Sequence, residues 1–183
     1  AIQASMLVLE LDLAFYDGFE NVIVYPGEFV PEWEWEDEAG VVHRNDGPLA
    51  GEAMPGGPVV LSWPDVEAGA DWESTGMNLV LHEFAHKIDM RNGEANGCPP
   101  LPAGMSPEAW KRALTAAYDD FCARIDDGED TAIDPYAAES PAEFFASTFA
   151  PALIRVARVS RSQPPIAPAI RMVFLRFSSG LMV

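Results

Sequence analysis

The sequence is short of basic residues. It holds 11 Lys and Arg against 29 Asp and Glu in 183 residues, for a formal net charge of −18. Proteins that bind nucleic acid need a basic face to neutralise phosphates. The charge balance therefore argues against nucleic acid as a direct partner and indicates mainly a well-solvated surface.

Cysteine and long apolar runs are also scarce. Cys98 and Cys122 are too few for a disulfide framework, so two free thiols are the first expectation, with one disulfide as the alternative. No apolar run reaches the roughly 18 residues that a membrane-spanning helix needs, and no basic-then-apolar signal peptide opens the chain. We therefore expect a cytoplasmic protein without a membrane partner.

Acidic residues are missing from the last part of the chain. All 29 lie at or before Glu143, whereas five of the 11 basic residues follow it. Prolines from Pro151 onward would also interrupt a helix there. This change in composition predicts a folded domain over residues 1–146. It also predicts a tail over 147–183 that is either a divergent end or a frameshifted reading of the gene.

The order of local patterns predicts an α+β fold, with a small sheet in the N-terminal half followed by helices. Strands are expected where β-branched and aromatic residues cluster, or alternate with acids, between turn signals. Helices are expected where Ser or Thr caps precede amphipathic runs. Residues 4–15 suit either a helix or a buried strand. The predicted strands are Asn21–Tyr25, Glu32–Asp37, Val41–Arg44 and Pro58–Trp63, with a Gly/Pro-rich loop over 45–57, and the predicted helices are about Ser74 to Met90, Pro107 to Ile125, and one from Ser140–Pro141 to Phe149.

The strongest chemical signal is a His-Glu-x-x-His segment that begins at His82 and ends at His86. A helix turns about 100° per residue, so both imidazoles lie on one face and reach a single cation. Glu83 is suited to take a proton from water. A chance match is expected in fewer than about one in a hundred chains of this length. The third histidine, His43, is expected at the surface, and Asp89 either orients a ligand or is a surface acid at the helix end.

Two histidines leave a tetrahedral zinc ion short of a protein ligand before water. Cysteine is one alternative, and Glu143 in a Pro-Ala-Glu segment is the other. Glu143 lies in the first turn of a predicted helix, where an acid that interacts with the helix dipole is common, and composition alone favours that role. The nearby acids Glu139, Asp134 and Asp130 are rivals on less rigid backbone.

Three separated blocks resemble one bacterial family. The segments Asn21–Val30, Val80–Asn96 and Asp134–Ala146 look like the Mlc titration factor A family of metallopeptidases, in the same order and spacing. The resemblance runs from about residue 5 to 147. It implies a zincin-like α+β fold whose core is similar to the catalytic domain of anthrax lethal factor. Because the family's first helical region is lacking, it also implies a domain that is incomplete at the N-terminus.

The same resemblance implies roles for individual residues. It implies one zinc ion held by His82, His86 and Glu143, with Glu83 as the catalytic base. Tyr136, seven residues before Glu143, would donate a hydrogen bond to the developing oxyanion; a partly buried loop aromatic is the alternative. The implied activity is aminopeptidase-type hydrolysis of peptides. The alternative function is a cytoplasmic regulatory protein that sequesters a transcriptional repressor of sugar-uptake genes.

Overall fold

The computed structural model describes residues 4, 16–19, 21–31, 47–71, 77–101 and 104–148, and the backbone of 34–36 and 42–44. In this part of the chain the strands come first and most helices follow, which confirms the predicted α+β class. The elements in chain order are strands β1 (Val22–Tyr25), β2 (Glu34–Glu36), β3 (Val42–Arg44), β4 (Gly51–Ala53) and β5 (Val59–Ser62), helices α1 (Trp63–Ala68), α2 (Leu79–Asp89), α3 (Pro107–Asp126) and α4 (141–148), and short 3-10 turns at Gly69–Asp71, Met90–Asn92 and Pro135–Ala138.

The main sheet has the strand order β1-β5-β4. Strand β1 is parallel to β5, with Val22 opposite Val59, and β4 is antiparallel to β5, with Gly51 opposite Leu61. The central strand β5 is buried along its whole length, as its apolar sequence requires of a strand covered on both faces. Strand β4 forms one edge of this sheet and contacts α2.

A separate two-stranded sheet pairs β2 with β3 in antiparallel register, with Trp35 opposite His43. This confirms the predicted hairpin, although its turn lies outside the described residues. An antiparallel bridge between Phe29 and Leu49 joins the segments that follow β1 and precede β4.

Helix α2 forms the centre of the molecule, and all eleven of its residues are buried. The ring of Phe84 packs edge to face against the rings of Tyr16 and Phe19, at centroid distances of 5.2 and 5.3 Å. The side chains of Leu81 and Ile88 are almost fully buried. Aromatic side chains packed in this way contribute both apolar burial and favourable ring geometry. The helix that carries both histidines is therefore fixed on every side.

Helix α4 is anchored by two adjacent phenylalanines that point into different clusters. Phe144 contacts Phe121 and Tyr118 of α3, with ring centroids 5.4 and 5.8 Å apart. Phe145 contacts Trp110 at 6.3 Å in the cluster that also contains α2. Truncating a buried Phe typically costs about 3–5 kcal/mol, so these two side chains hold α4 firmly against both α3 and α2.

The prediction of a continuous loop over 45–57 is wrong at Gly51–Ala53, which forms β4. Two of these three residues, Gly51 and Ala53, are of types with little intrinsic preference for strands. The strand forms because β5 supplies hydrogen-bonding partners along its edge, and this tertiary pairing leaves no local sequence pattern.

Two predicted element boundaries also need correction. The strand predicted to end at Trp63 ends at Ser62, and Trp63 begins α1 with a proline in its first turn, a position that proline favours. The helix predicted from about Ser74 begins at Leu79, and its N-cap is Asn78, whose side chain accepts the N–H of Leu81 at 3.0 Å. The cap expected at Ser74 or Thr75 lies outside the described residues.

The remaining helices follow the prediction closely. Ser106 caps α3 by accepting the N–H of Ala109 at 3.2 Å, and Ser140 caps α4. Of residues 4–15 only Ala4 is described, and it is helical; residues 5–15 lie outside the described part. Residues 149–183 lie outside the described part, and the division at 146/147 stays a prediction. None of the helices in the described ranges has both the length and the apolar character of a membrane-spanning segment.

Candidate metal centre

Helix α2 presents His82 and His86 to the same point. Their Nε2 atoms lie 3.1 Å apart and their rings meet edge to face, with centroids 4.7 Å apart. Both side chains are buried. This is the arrangement that a spacing of four residues dictates on a helix.

Helix α4 brings Glu143 to these two nitrogens. Oε2 of Glu143 lies 2.9 Å from Nε2 of His82 and 3.4 Å from Nε2 of His86. The backbone of Glu143 is fixed because its N–H donates to Oγ of Ser140 at 3.2 Å. The N-cap predicted from the Ser-Pro pair therefore fixes the backbone turn that carries this carboxylate.

The three side chains fit a metal ion. One donor atom from each of His82, His86 and Glu143 lies within 4.8 Å of the others. Tetrahedral coordination at about 2.0–2.1 Å places donor atoms roughly 3.3 Å apart, and the three separations here run from 2.9 to 3.4 Å. Within the described part of the chain, this is the one group of His, Cys, Asp or Glu side chains so arranged.

The electrostatics of the group also suit cation binding. Burial alone would raise the pKa of Glu143, but hydrogen bonds with His82 and His86 outweigh it and lower the pKa to about 2. Burial lowers the pKa of His82, although the hydrogen bond with Glu143 acts in the opposite direction. Burial would also lower the pKa of His86, but the hydrogen bond and charge of Glu143 outweigh it and raise that pKa. Glu143 is therefore ionised at neutral pH, as a metal-binding carboxylate must be.

Glu83 lies beside the three donors without belonging to the group. It is 5% exposed, and burial, helped by the charges of Glu143 and Glu52, raises its pKa to about 8. A cation at the centre would lower this value, because a nearby opposite charge favours the carboxylate. A carboxylate with a pKa near neutral is suited to both accept and return a proton.

Comparison with known proteins places these residues in a family. The family model described as glucose-regulated metallo-peptidase M90 matches residues 1–152. This chain belongs to the M90 metallopeptidase family. It is similar to Mlc titration factor A of Cronobacter sakazakii (44% identity), Pectobacterium atrosepticum (43%) and Escherichia fergusonii (44%), in each case over 80% of this chain and 55% of the relative. The chain therefore spans about half the length of these curated relatives.

Tyr136 of this M90 member lies at the rim of the centre. Its ring centroid is 6.1 Å from that of His82, and it is 44% exposed. Asp134 fixes the local turn by accepting the N–H of Tyr136 at 2.9 Å. Burial and then the charge of Glu143 raise the pKa of Tyr136, so the phenol remains a hydrogen-bond donor at neutral pH. The placement suits a residue that meets a substrate at the metal.

The rival acids are less well placed. Glu139 and Asp130 are exposed, and Asp134 is engaged in capping the turn that holds Tyr136. None of the three joins the donor group. His43 lies on β3, and its side chain is outside the described features, so the expectation of a surface position stays a prediction.

Sequence reasoning missed a contact between Gly51 and Glu83. A Cβ atom at Gly51 would lie 2.7 Å from Oε1 of Glu83 and 2.7 Å from Cδ1 of Leu79. The N–H of Ala53 also hydrogen-bonds the Glu83 carboxylate and lowers its pKa. Glycine in a strand often marks such a close approach, but that signal was hidden because this segment was predicted to be a loop.

Two other contacts at the centre were not anticipated. Nζ of Lys87 donates to the carbonyl oxygens of Met54 and Gly57 at 2.6 and 2.7 Å, which ties the turn between β4 and β5 to α2. Oγ of Ser147 lies 3.4 Å from Nδ1 of His82, where it is placed to accept a hydrogen bond when Nε2 binds a metal. Neither lysine nor serine forms a pattern that sequence alone would single out.

Proposed function

We propose that this chain is a zinc-dependent peptidase of the aminopeptidase type. The observation that carries the proposal is the convergence of the His82 and His86 Nε2 atoms with Oε2 of Glu143, next to the buried Glu83. Membership of a metallopeptidase family supports the same reading. The activity of the whole protein is part of the proposal, since the chain covers 55% of its relatives.

The donor set favours zinc. Two imidazoles and one carboxylate are a common ligand set of catalytic zinc sites, which leave a fourth position open. In the proposed centre His82, His86 and Glu143 would hold the ion. When bound, zinc would supply a Lewis acid that polarises the scissile carbonyl and makes water more acidic.

Glu83 would handle the proton of the reaction. It would accept a proton from the attacking water while the water oxygen bonds to the carbonyl carbon. It would then pass that proton to the amine nitrogen as the C–N bond breaks. A single buried carboxylate could serve both steps, because a cation at the centre would lower its pKa from about 8 towards neutral and favour the form that accepts a proton.

Tyr136 would stabilise the substrate oxygen. As water adds, the carbonyl oxygen gains negative charge, and a phenol beside the metal ligands is placed to donate a hydrogen bond to it. The support is the 6.1 Å separation of the Tyr136 and His82 rings and the partial exposure of the phenol. Replacing Tyr136 by Phe removes the donor while leaving the ring.

Carboxylates around the centre support the preference for a free amino terminus. The negative charge of Glu52 acts electrostatically on Glu83, and that of Asp134 acts on His82. Both lie outside the donor group. They would favour the α-ammonium group of a peptide, as electrostatic complementarity requires.

Metal analysis and peptide hydrolysis test the proposal together. The purified chain should contain one zinc ion and should hydrolyse amino-acid anilides, and 1,10-phenanthroline should abolish turnover. Replacing His82 or His86 by Ala should empty the site. Full zinc occupancy in either variant, or activity that a chelator leaves unchanged, would contradict the proposal.

A regulatory binding role is the second candidate function. The relatives carry the name Mlc titration factor A, which favours a cytoplasmic protein that sequesters a repressor. This role does not need the metal, so Glu83→Gln should bind the repressor as tightly as wild type while losing hydrolysis. Binding measured by calorimetry with a purified repressor of sugar-uptake genes separates the two functions, and no detectable binding by wild type would rule this one out.

A further inference from the structure

Asp89, the last residue of α2, is completely buried. Its side chain is 0% exposed, so the expectation of a surface acid at the helix end is wrong. Oδ2 of Asp89 accepts the N–H of Gly97 at 2.7 Å. Burial raises the pKa of Asp89, and the amides of Gly97 and Asn96 partly offset this effect. The carboxylate therefore holds the loop that follows α2.

The loop is also held from α3. Nε1 of Trp110 donates to the carbonyl oxygen of Gly97 at 2.7 Å, in a buried hydrogen bond. Trp110 is itself 6% exposed and packs against Phe145 of α4. One residue, Gly97, thus has its N–H fixed by α2 and its carbonyl fixed by α3.

Gly97 contacts the beginning of α4 directly. A Cβ atom at this position would lie 2.8 Å from the carbonyl oxygen of Pro141 and 2.5 Å from Cδ2 of Leu114. Its φ of +78° is also in the left-handed region that favours glycine. Pro141 is two residues before Glu143, so the backbone of Gly97 abuts the turn that presents this carboxylate to the histidines.

We propose that Asp89 is a positioning residue for Glu143, which it places by holding Gly97 against the first turn of α4. The inference rests on the proposed metal site. A carboxylate three residues after a ligand histidine is more obviously expected to orient that histidine. Nδ1 of His86, however, has no hydrogen-bond partner among the described residues. The hydrogen bonds of Asp89 lead instead to Gly97 and from there to α4.

A double-mutant cycle tests this route. Zn²⁺ affinity is measured by competition with a chromophoric chelator for wild type, Asp89→Ala, Glu143→Ala and the double variant. Asp89→Ala should weaken zinc by about 10–100-fold, the usual range for residues that support a ligand. In the Glu143→Ala background the same change should alter affinity by no more than about twofold. An equal loss in both backgrounds would overturn the inference, since Asp89 would then act on the whole fold or through the histidines.

Two further measurements separate positioning from general stability. Asp89→Asn keeps an acceptor for the Gly97 N–H and should restore most of the affinity, whereas a purely electrostatic effect on His86 would not be rescued. The absorption spectrum of bound Co²⁺ reports coordination, and that of Asp89→Ala should approach that of Glu143→Ala. A spectrum identical to wild type would count against the inference.

Matched variants cover the remaining outcomes. Asn92→Ala removes an exposed hydrogen bond to Cys98 in the same loop and should leave Zn²⁺ affinity unchanged. If Asp89→Ala does not fold, Trp110→Phe removes the other hydrogen bond to Gly97 and should weaken zinc only while Glu143 is present. A wild-type chain without Zn²⁺ affinity would overturn the proposed function and this inference together. Additive losses would overturn the inference alone.

Discussion

Nε2 of His86 lies 3.4 Å from Oε2 of Glu143, although 57 residues separate the two along the chain. The intervening helix α3 packs against α4 through Phe121 and Phe144, and it reaches the α2 cluster through Trp110. The centre therefore forms only when two helices pack together, since α2 supplies two donors and α4 supplies the third.

The first prediction concerns the third donor. Replacing Glu143 by Ala removes one of three protein ligands and should weaken Zn²⁺ by more than about 100-fold, since even residues behind the ligands are worth about 10–100-fold. Hydrolysis should be lost in parallel. Glu139→Ala, an exposed acid four residues earlier, is the matched control and should keep both. A Glu143→Ala variant that retains tight zinc would reduce Glu143 to an acid that interacts with the helix dipole.

The second prediction separates metal binding from catalysis. Glu83→Gln keeps the size and burial of the side chain but removes the proton acceptor. We expect full zinc occupancy with turnover lower by about 10²–10⁴-fold, the usual contribution of acid–base catalysis. Measuring zinc content and anilide hydrolysis on the same preparation tests both halves. Turnover close to wild type would exclude Glu83 as the base.

The third prediction concerns the oxyanion. Tyr136→Phe removes the phenol that we propose donates to the substrate oxygen, while the ring beside His82 remains. Loss of one such donor typically costs about 10²–10³-fold in kcat. KM and zinc content should change little, because the donor acts on charge that develops during the reaction. A variant with raised KM and unchanged kcat would indicate a role in substrate binding instead.

Much of the site could be predicted from sequence because its determinants are local. A spacing of four residues on a helix places His82 and His86 on one face, and Ser140 with a following proline marks the start of a helix. These two rules, with the family resemblance, locate each of the three donors on its element. The distance between the elements is not local, and only the structure gives it.

The parts that could not be predicted depend on tertiary contacts. Strand β4 has no strand-like composition and forms because β5 offers it an edge. The sequence left Asp89 as either a residue that orients a ligand or a surface acid, and its hydrogen bond with Gly97 forms only in the folded chain. The N-cap Asn78 is stabilised by a buried hydrogen bond from its side chain to the carbonyl oxygen of Gly69. In each case the deciding partner lies elsewhere in the fold.

The fourth prediction tests the approach of β4 to the base. In Gly51→Ala the new methyl group would meet Oε1 of Glu83 and Cδ1 of Leu79, each at 2.7 Å, so the carboxylate must move. We expect lower turnover with zinc retained, because a displaced base loses its alignment with the reacting water. Gly27→Ala is the control, since a Cβ atom there has no neighbour within 4 Å. Equal activity in the two variants would show that the contact is dispensable.

The fifth prediction concerns the pH dependence of stability in the metal-free chain. Burial raises the pKa of Glu83 from 4.5 to about 8. The folded state then holds a proton that the unfolded state releases, so the contribution of Glu83 to the free energy of unfolding should fall as pH rises from about 4.5 to 8. Glu83→Gln removes this titration, so the variant should be increasingly more stable than wild type towards pH 8. At about 1.4 kcal/mol per pKa unit, the difference is of the order of a few kcal/mol.

Urea unfolding in the presence of a chelator, repeated across this pH range, checks the sign of that effect. The chelator matters because a bound cation would lower the pKa of Glu83 and remove most of the dependence. Glu139→Gln changes an acid at an exposed position and is the matched control. If Glu83→Gln and wild type gave parallel curves, Glu83 would titrate alike in both states. Its burial would then not raise its pKa in the folded, metal-free chain.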